Sequence, residues 1–265
     1  MNDLEAHFRQ NNKRLIHKYL HYFDIYDRHF NRYRNKEVVI LEIGVSQGGS
    51  LQMWKDYFGD KAIIYGIDVD ERCKDLEEEN IKIFIGSQSD RKFLREVKTQ
   101  IPSIDILIDD GGHTMNQQIV SFEELFDTVN ENGIYLCEDL HTSYWDSFGG
   151  GYKRKGSYIE YSKNFIDYLN AYHSKQKSLQ VNGFTKSVDS IHYYDSIIVI
   201  EKKKRLQPPH AEVSGNAHFI RESDEKSIIS LPYKLKLLFV NTINIFLRAI
   251  GIKNTLHIGK IFGKK

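Results

Sequence analysis

The chain has 265 residues, of which 40% are apolar and 28% charged. That is globular composition for one or two domains, and it excludes a disordered, collagen-like or coiled-coil chain. Lys and Arg number 37 against 36 Asp and Glu, a balance that gives no electrostatic reason to expect a nucleic-acid partner.

From Leu4 to about Arg34, apolar and aromatic residues recur at helical spacing through Leu15, Tyr19, Tyr22, Phe23, Tyr26, Phe30 and Tyr33, which predicts an N-terminal helical segment over residues 1–36. The pattern then changes to short apolar runs between helical stretches: 38–43, 62–67, 81–85, 104–108, 133–137 and 196–200. Runs apolar on both faces and alternating with helices predict a mostly parallel sheet covered on both sides, so residues 37–205 read as a doubly wound α/β domain. Residues 141–158 are polar and aromatic and contain Gly149-Gly150-Gly151; their length suggests a lid or substrate loop. Residues 164–173 read as a helix, and 179–184 with 187–202 read as two long strands joined by a tight turn. Pro208-Pro209 closes the domain, and 206–230 reads as an extended arm.

The last segment is electrically distinct. Residues 226–265 hold eight Lys or Arg and no acid, so the net +1 of the whole leaves −7 on residues 1–225. Leu231 onward is an amphipathic helical pattern. It offers two readings, a helix covering a core or dimer interface and a peripheral contact with an anionic inner-membrane surface. Cys73 and Cys137 lie far apart and form no disulfide framework. No secretory leader is evident and no run reaches the ~18 apolar residues of a membrane span. A reducing, cytoplasmic location is the expectation.

The first run ends in Glu42-Ile43-Gly44-Val45-Ser46-Gln47-Gly48-Gly49-Ser50 and leads into a helix. The turn after the first strand of a doubly wound sheet is where nucleotides bind. A dinucleotide fingerprint needs glycine where Ser46 stands, which shifts the expectation from a pyrophosphate ligand to one without phosphates, S-adenosylmethionine. Glu42, Gly44, Ser46, Gly48 and Ser50 are the loop candidates. Asp68, ending the second run, is expected to accept both ribose hydroxyls. Ser87 and Gln88, after the third, are placed to reach an adenine edge, and Asp109 is counted with this cofactor set.

The fourth run enters Asp109-Asp110-Gly111-Gly112-His113 and the fifth enters Glu138-Asp139-Leu140-His141. Carboxyl ends of neighbouring parallel strands share one crevice, so Asp110, Glu138 and Asp139 are expected to converge. Such carboxylates repel unless something positive sits among them, and oxygen donors suit Mg²⁺ first, or Mn²⁺. His113, three residues beyond Asp110, is the candidate base. His141, Tyr144 and Trp145 are candidates for the acceptor pocket.

These motifs, Glu42–Ser50, Ile108–His113, Cys137–Trp145 and Ser190–Ser196, with Tyr26-Asp27-Arg28-His29-Phe30, resemble the class I S-adenosylmethionine-dependent O-methyltransferases that act on macrolide sugars. The resemblance implies Asp110, Glu138 and Asp139 as ligands of a Mg²⁺ that chelates neighbouring sugar hydroxyls, His113 as base, and a homo-oligomer. Gly112 departs from the serine expected there. The abundance of Ile, Lys, Asn and Tyr suggests an AT-rich genome and hence a surface polysaccharide, capsule or lipopolysaccharide, as destination. The acceptor would then be a nucleotide sugar or glycan, with a macrolide-type glycoside as the alternative. A hydroxylase-like protein and a non-catalytic cofactor-binding protein on the same fold are the competing readings.

Overall fold

The computed structural model describes residues 1–216 and 231–250. Two compact units emerge, Met1–His210 and Ala211–Lys265. The expected N-terminal segment is part of the first unit rather than a body of its own.

In chain order the first unit contains α1 (Asp3–Gln10), α2 (Tyr22–Phe30), β1 (Val38–Ile43), α3 (Gly49–Phe58), β2 (Ala62–Asp68), β3 (Ile81–Ile85), α4 (Arg91–Gln100), β4 (Ile104–Asp109), α5 (Met115–Leu125) and β5 (Val129–Cys137). It continues through α6 (Tyr158–Ser162), α7 (Asn164–Leu169), α8 (Gly183–Ser187), β6 (Val188–Tyr193) and β7 (Ile198–Lys202). The strands form one sheet in the order β3-β2-β1-β4-β5-β7-β6. β1 to β5 run parallel, while β7 is antiparallel to both β5 and β6. The doubly wound sheet read from the apolar runs is therefore present, and the order reverses at β1 and β4, where such sheets open a crevice at their carboxyl ends.

Period-two alternation splits the core. Along β1, Val38 and Ile40 face a cluster with Tyr26, Phe30, Trp54 and Phe58, whereas Leu41 and Ile43 face one with Leu94, Leu107, Phe126 and Tyr135. Both faces being buried explains the uninterrupted apolar strands. α2 is fixed to the antiparallel edge by His29, whose Nδ1 lies 2.7 Å from Glu201 Oε1 and whose Nε2 lies 2.9 Å from the Tyr194 hydroxyl.

Two expected elements differ. The N-terminal periodicity breaks between α1 and α2, where the Asn11 side-chain Nδ2 donates to the Arg14 carbonyl (2.8 Å) and its Oδ1 accepts from the Lys13 amide, closing a turn that ends the helix. Residues 11–21 become a strap, and Arg14 Nη1 ties it to the Leu76 carbonyl at 3.0 Å. Residues 179–184 are not a strand. The Asn182 side chain caps α8 in a capping box with Thr185, so the hairpin lies wholly within 188–202, with Tyr194 N donating to Ile197 O across its turn. The glycine loop is packed rather than lid-like: Gly150 N donates to Trp145 O and Gly151 N to Ser143 O.

In the second unit the described element is α9 (Leu231–Ala249). Of the arm expected at 206–230, residues 217–230 lie outside the described residues, as does the tail from 251.

Candidate functional site

A cavity of about 380 Å³ opens at the carboxyl ends of β1, β2 and β4. One side is the β1–α3 loop and the end of β2. Gly44 (φ +96°) is required there, since a Cβ would stand 2.0 Å from the Asp110 carbonyl oxygen. Ser46 follows with φ 51°. Gly44, Ser46, Ser50 and Asp68 all line the cavity. Asp68 does more for the loop than expected: Oδ2 accepts from the Val45 and Ser46 amides, both at 2.9 Å, and Oδ1 from the Asp70 amide at 3.0 Å. A carboxylate has about four acceptor directions, so one remains for a ligand instead of the two a bidentate ribose contact needs.

Glu42, Gly48, Ser87 and Asp109 stand back from the cavity wall. Glu42 is fully buried and accepts from Ser50 Oγ at 2.8 Å; burial pushes its carboxyl up to about 7, against the pull of Lys18. Gly48 precedes α3 as its N-cap, in the left-handed region (φ 73°). Ser87 Oγ bonds Ser89 Oγ at 2.9 Å, a local turn rather than a ligand contact. Gln88 touches the cavity, yet its amide is spent internally. Nε2 donates to Asp109 Oδ1 at 2.9 Å, and Oε1 accepts from the Gly112 amide at 2.7 Å. Asp109 also accepts from Ser121 Oγ at 2.6 Å, and burial raises its carboxyl to about 6. This pair braces the Asp110–His113 loop from behind.

The opposite side carries the acids. Asp110 and Asp139 line the cavity together with His113, and one ligand atom from each lies within 4.8 Å of the others. His113 Nε2 is 3.9 Å from Asp110 Oδ1 and 3.4 Å from Asp139 Oδ2. His113 (φ 57°) and Asp139 (φ 54°), like Ser46, hold left-handed backbone despite carrying side chains. Such conformations cost on the order of 1–3 kcal/mol each and persist where the surroundings impose them. Of the seven such residues among those described, Ser46, His113 and Asp139 line this cavity. Thr142 Oγ1, donating to the His113 carbonyl at 3.0 Å, links the two acidic loops.

Glu138 is elsewhere. It is fully buried, accepts from the Tyr26 hydroxyl at 2.6 Å, and has both oxygens within 3.0 Å of Lys18 Nζ. The same ammonium is 2.5 Å from Asp110 Oδ2 and 3.8 Å from Glu42 Oε1. Burial alone would lower the Lys18 pKa, but Asp110, Glu138 and Glu42 together raise it above its usual value. Burial and Asp110 push Glu138 upward, opposed by Lys18 and Tyr26. The positive charge that converging carboxylates demand is thus supplied by the chain itself. Lys18 reaches the cluster from the strap, whose residues Leu15 to Lys18 form the cavity's other wall. Nothing in the sequence marked it, because its partners lie 92 and 120 residues away.

Two carboxylate oxygens remain turned toward His113: Asp110 Oδ1, whose sister atom is held by Lys18, and Asp139 Oδ2, whose sister atom accepts from the Tyr22 hydroxyl at 2.7 Å. Two hard oxygens beside an accessible cavity fit a Mg²⁺ that keeps several other ligand positions open. Glu138 could join them only by giving up Lys18. His141, Tyr144 and Trp145 are not among the residues that line the cavity. Tyr144 and Trp145 are half exposed, and the His141 ring packs between Tyr19 (5.6 Å) and Trp145 (4.6 Å) with Nδ1 2.5 Å from Ser196 Oγ.

A seven-stranded sheet of this order with the crevice at β1 and β4 is the class I, Rossmann-like methyltransferase fold. Its homologues are sugar O-methyltransferases. Demethylmacrocin O-methyltransferase from Streptomyces fradiae is 37% identical over 195 residues, 69% of this chain and 49% of the relative. Mycinamicin VI 2''-O-methyltransferase from Micromonospora griseorubida is 34% identical over 196 residues, 69% of this chain and 49% of the relative. The MycE methyltransferase of the mycinamycin biosynthetic pathway, solved with Mg, SAH and mycinamycin VI, superposes with a TM-score of 0.67 at 31% identity, covering 76% of this chain and 53% of that one. No protein-family model matches the chain. The chain spans about half the length of the curated relatives it matches.

Proposed function

We propose that the protein transfers a methyl group from S-adenosylmethionine to a sugar hydroxyl of a glycosylated small molecule, with Mg²⁺ held at Asp110 and Asp139. The observation that carries this reading is the single cavity lined at once by Gly44, Ser46 and Asp68 on one side and by Asp110, His113 and Asp139 on the other. A methyl donor and an acceptor seated there would meet across it.

Asp110 Oδ1 and Asp139 Oδ2 would hold the cation, and Lys18 and Tyr22 keep both carboxylates from turning away. When bound, the cation would lower the proton affinity of an acceptor hydroxyl. His113 Nε2 takes that hydroxyl's proton as the new oxygen–carbon bond forms and the sulfonium–carbon bond breaks, so the proton ends on the imidazole. Asp68 accepts one ribose hydroxyl. The strap and the braced loops fix the geometry, and positioning two reactants in one cavity supplies much of the rate.

The relatives favour a glycoside over the surface polysaccharide suggested by composition. Their names specify 2''-, 2'- and 3'-hydroxyl methylation of glycosylated mycinamicin and tetracenomycin. Incubation with S-adenosylmethionine, Mg²⁺ and a panel of glycosides, nucleotide sugars and glycans tests the reading by mass spectrometry. A gain of one methyl on a glycoside, lost in EDTA and restored by Mg²⁺, is expected. Cofactor binding without transfer to any panel member, or transfer indifferent to EDTA, overturns it.

A further inference from the structure

In the unit Ala211–Lys265 the described helix α9 has two unlike apolar faces. Val240 is buried, with Ile243 and Leu247 half-buried on the same side. Leu235, Leu238, Ile245 and Phe246 recur at i, i+3, i+10 and i+11, one face of a helix, and are 59–69% exposed. A row of large apolar side chains standing in water over three turns marks an interaction surface. The partner's character follows from charge. Residues 226–265 carry eight Lys or Arg and no acid, so a second copy would bring the same +8 and be repelled. A nucleic acid would match the charge but offers the apolar row no phase to enter. An anionic bilayer satisfies both demands. No described helix is long and apolar enough to cross a membrane, and α9 is interrupted by Asn241, Thr242 and Asn244, so it would lie along the surface.

We propose that α9 docks in the plane of an anionic lipid bilayer, its Leu235–Phe246 row in the acyl boundary and the basic segment drawn to headgroup phosphates. Flotation of the full chain with phosphatidylcholine vesicles, with and without phosphatidylglycerol, tests this. Binding at least about tenfold stronger to the anionic vesicles, weakened by salt, is expected. Leu238→Glu with Phe246→Glu should abolish it while the melting of the sheet domain is unchanged, because both side chains are exposed. Equal binding to both vesicle types, no binding, or undiminished binding by the double variant overturns the proposal. So does sedimentation showing a dimer that the double variant dissolves and vesicles do not disturb, which assigns the face to a second copy.

Discussion

Glu138 and Asp139 are adjacent in sequence and both follow β5, yet they occupy opposite regimes of the same site. Glu138 points inward, fully buried, and is closed off by Lys18 and Tyr26. Asp139, in left-handed backbone, turns outward beside His113 and the cavity. One acid is consumed by the protein's own cation in a dry cluster; the other keeps an oxygen available. The deep cluster holds its acids by an internal ion pair, and the mouth is where the proposed chemistry would take place. Distance from water, rather than residue type, separates the two roles.

The largest effect should come from the mouth. Removing a positioned base typically lowers a rate by about 10²–10⁴, so His113→Ala should lose methyl transfer by that factor while calorimetry still finds S-adenosylmethionine bound, since the cofactor side of the cavity is untouched. Near-normal turnover would take His113 out of the proton transfer. The deep cluster should answer through stability instead. Lys18→Met strands Asp110, Glu138 and Glu42 without a countercharge, and breaking a buried pair this way costs about 3–5 kcal/mol. Urea unfolding in EDTA would show it; unchanged stability would mean that the cluster does not depend on the ammonium.

Glu42 sharpens the contrast through pH. Its folded pKa of about 7 lies above the unfolded value of 4.5, so the native state keeps a proton that the unfolded chain releases. Its contribution is favourable below about pH 4.5 and is lost as pH rises toward 7, on the order of 3 kcal/mol in total. Glu42→Gln removes this titration, so the variant's stability should gain on the wild type between pH 4.5 and 7 in denaturant titrations. A constant difference across that range would show that Glu42 does not titrate there.

The sheet and its crevice were legible in the sequence, but the division between Glu138 and Asp139 was not, since both were expected among the metal ligands. The parallel sheet and its crevice follow from apolar runs whose ends carry Gly44, Asp68, Asp110 and Asp139, because the carboxyl ends of neighbouring parallel strands share one edge. The need for a positive charge was also readable, but its source was not. Lys18 sits in a periodic aromatic stretch that reads as continuous helix, and only the Asn11 turn and the return of the strap over α3 bring it to the acids. Gln88 and Asp109 carry the right polarity at the right strand ends, yet hydrogen-bond each other, a pairing over 21 residues that local pattern does not reveal.

The aromatic group beside His141 should show the smallest effect and the most selective one. Trp145 is half exposed, its ring centred 4.6 Å from that of His141 and 5.7 Å from that of Phe148, so Trp145→Ala should leave the fold intact. If the acceptor contact is as strong as a pair of aromatic rings, about 0.5–1.5 kcal/mol, its loss corresponds to a rise of roughly 2- to 12-fold in KM for the acceptor, with kcat and cofactor affinity unchanged. A fall in kcat at constant KM would mean that Trp145 acts through His141 and the Asp139 loop to align the reacting groups, moving the boundary between recognition and chemistry outward to the aromatic group itself.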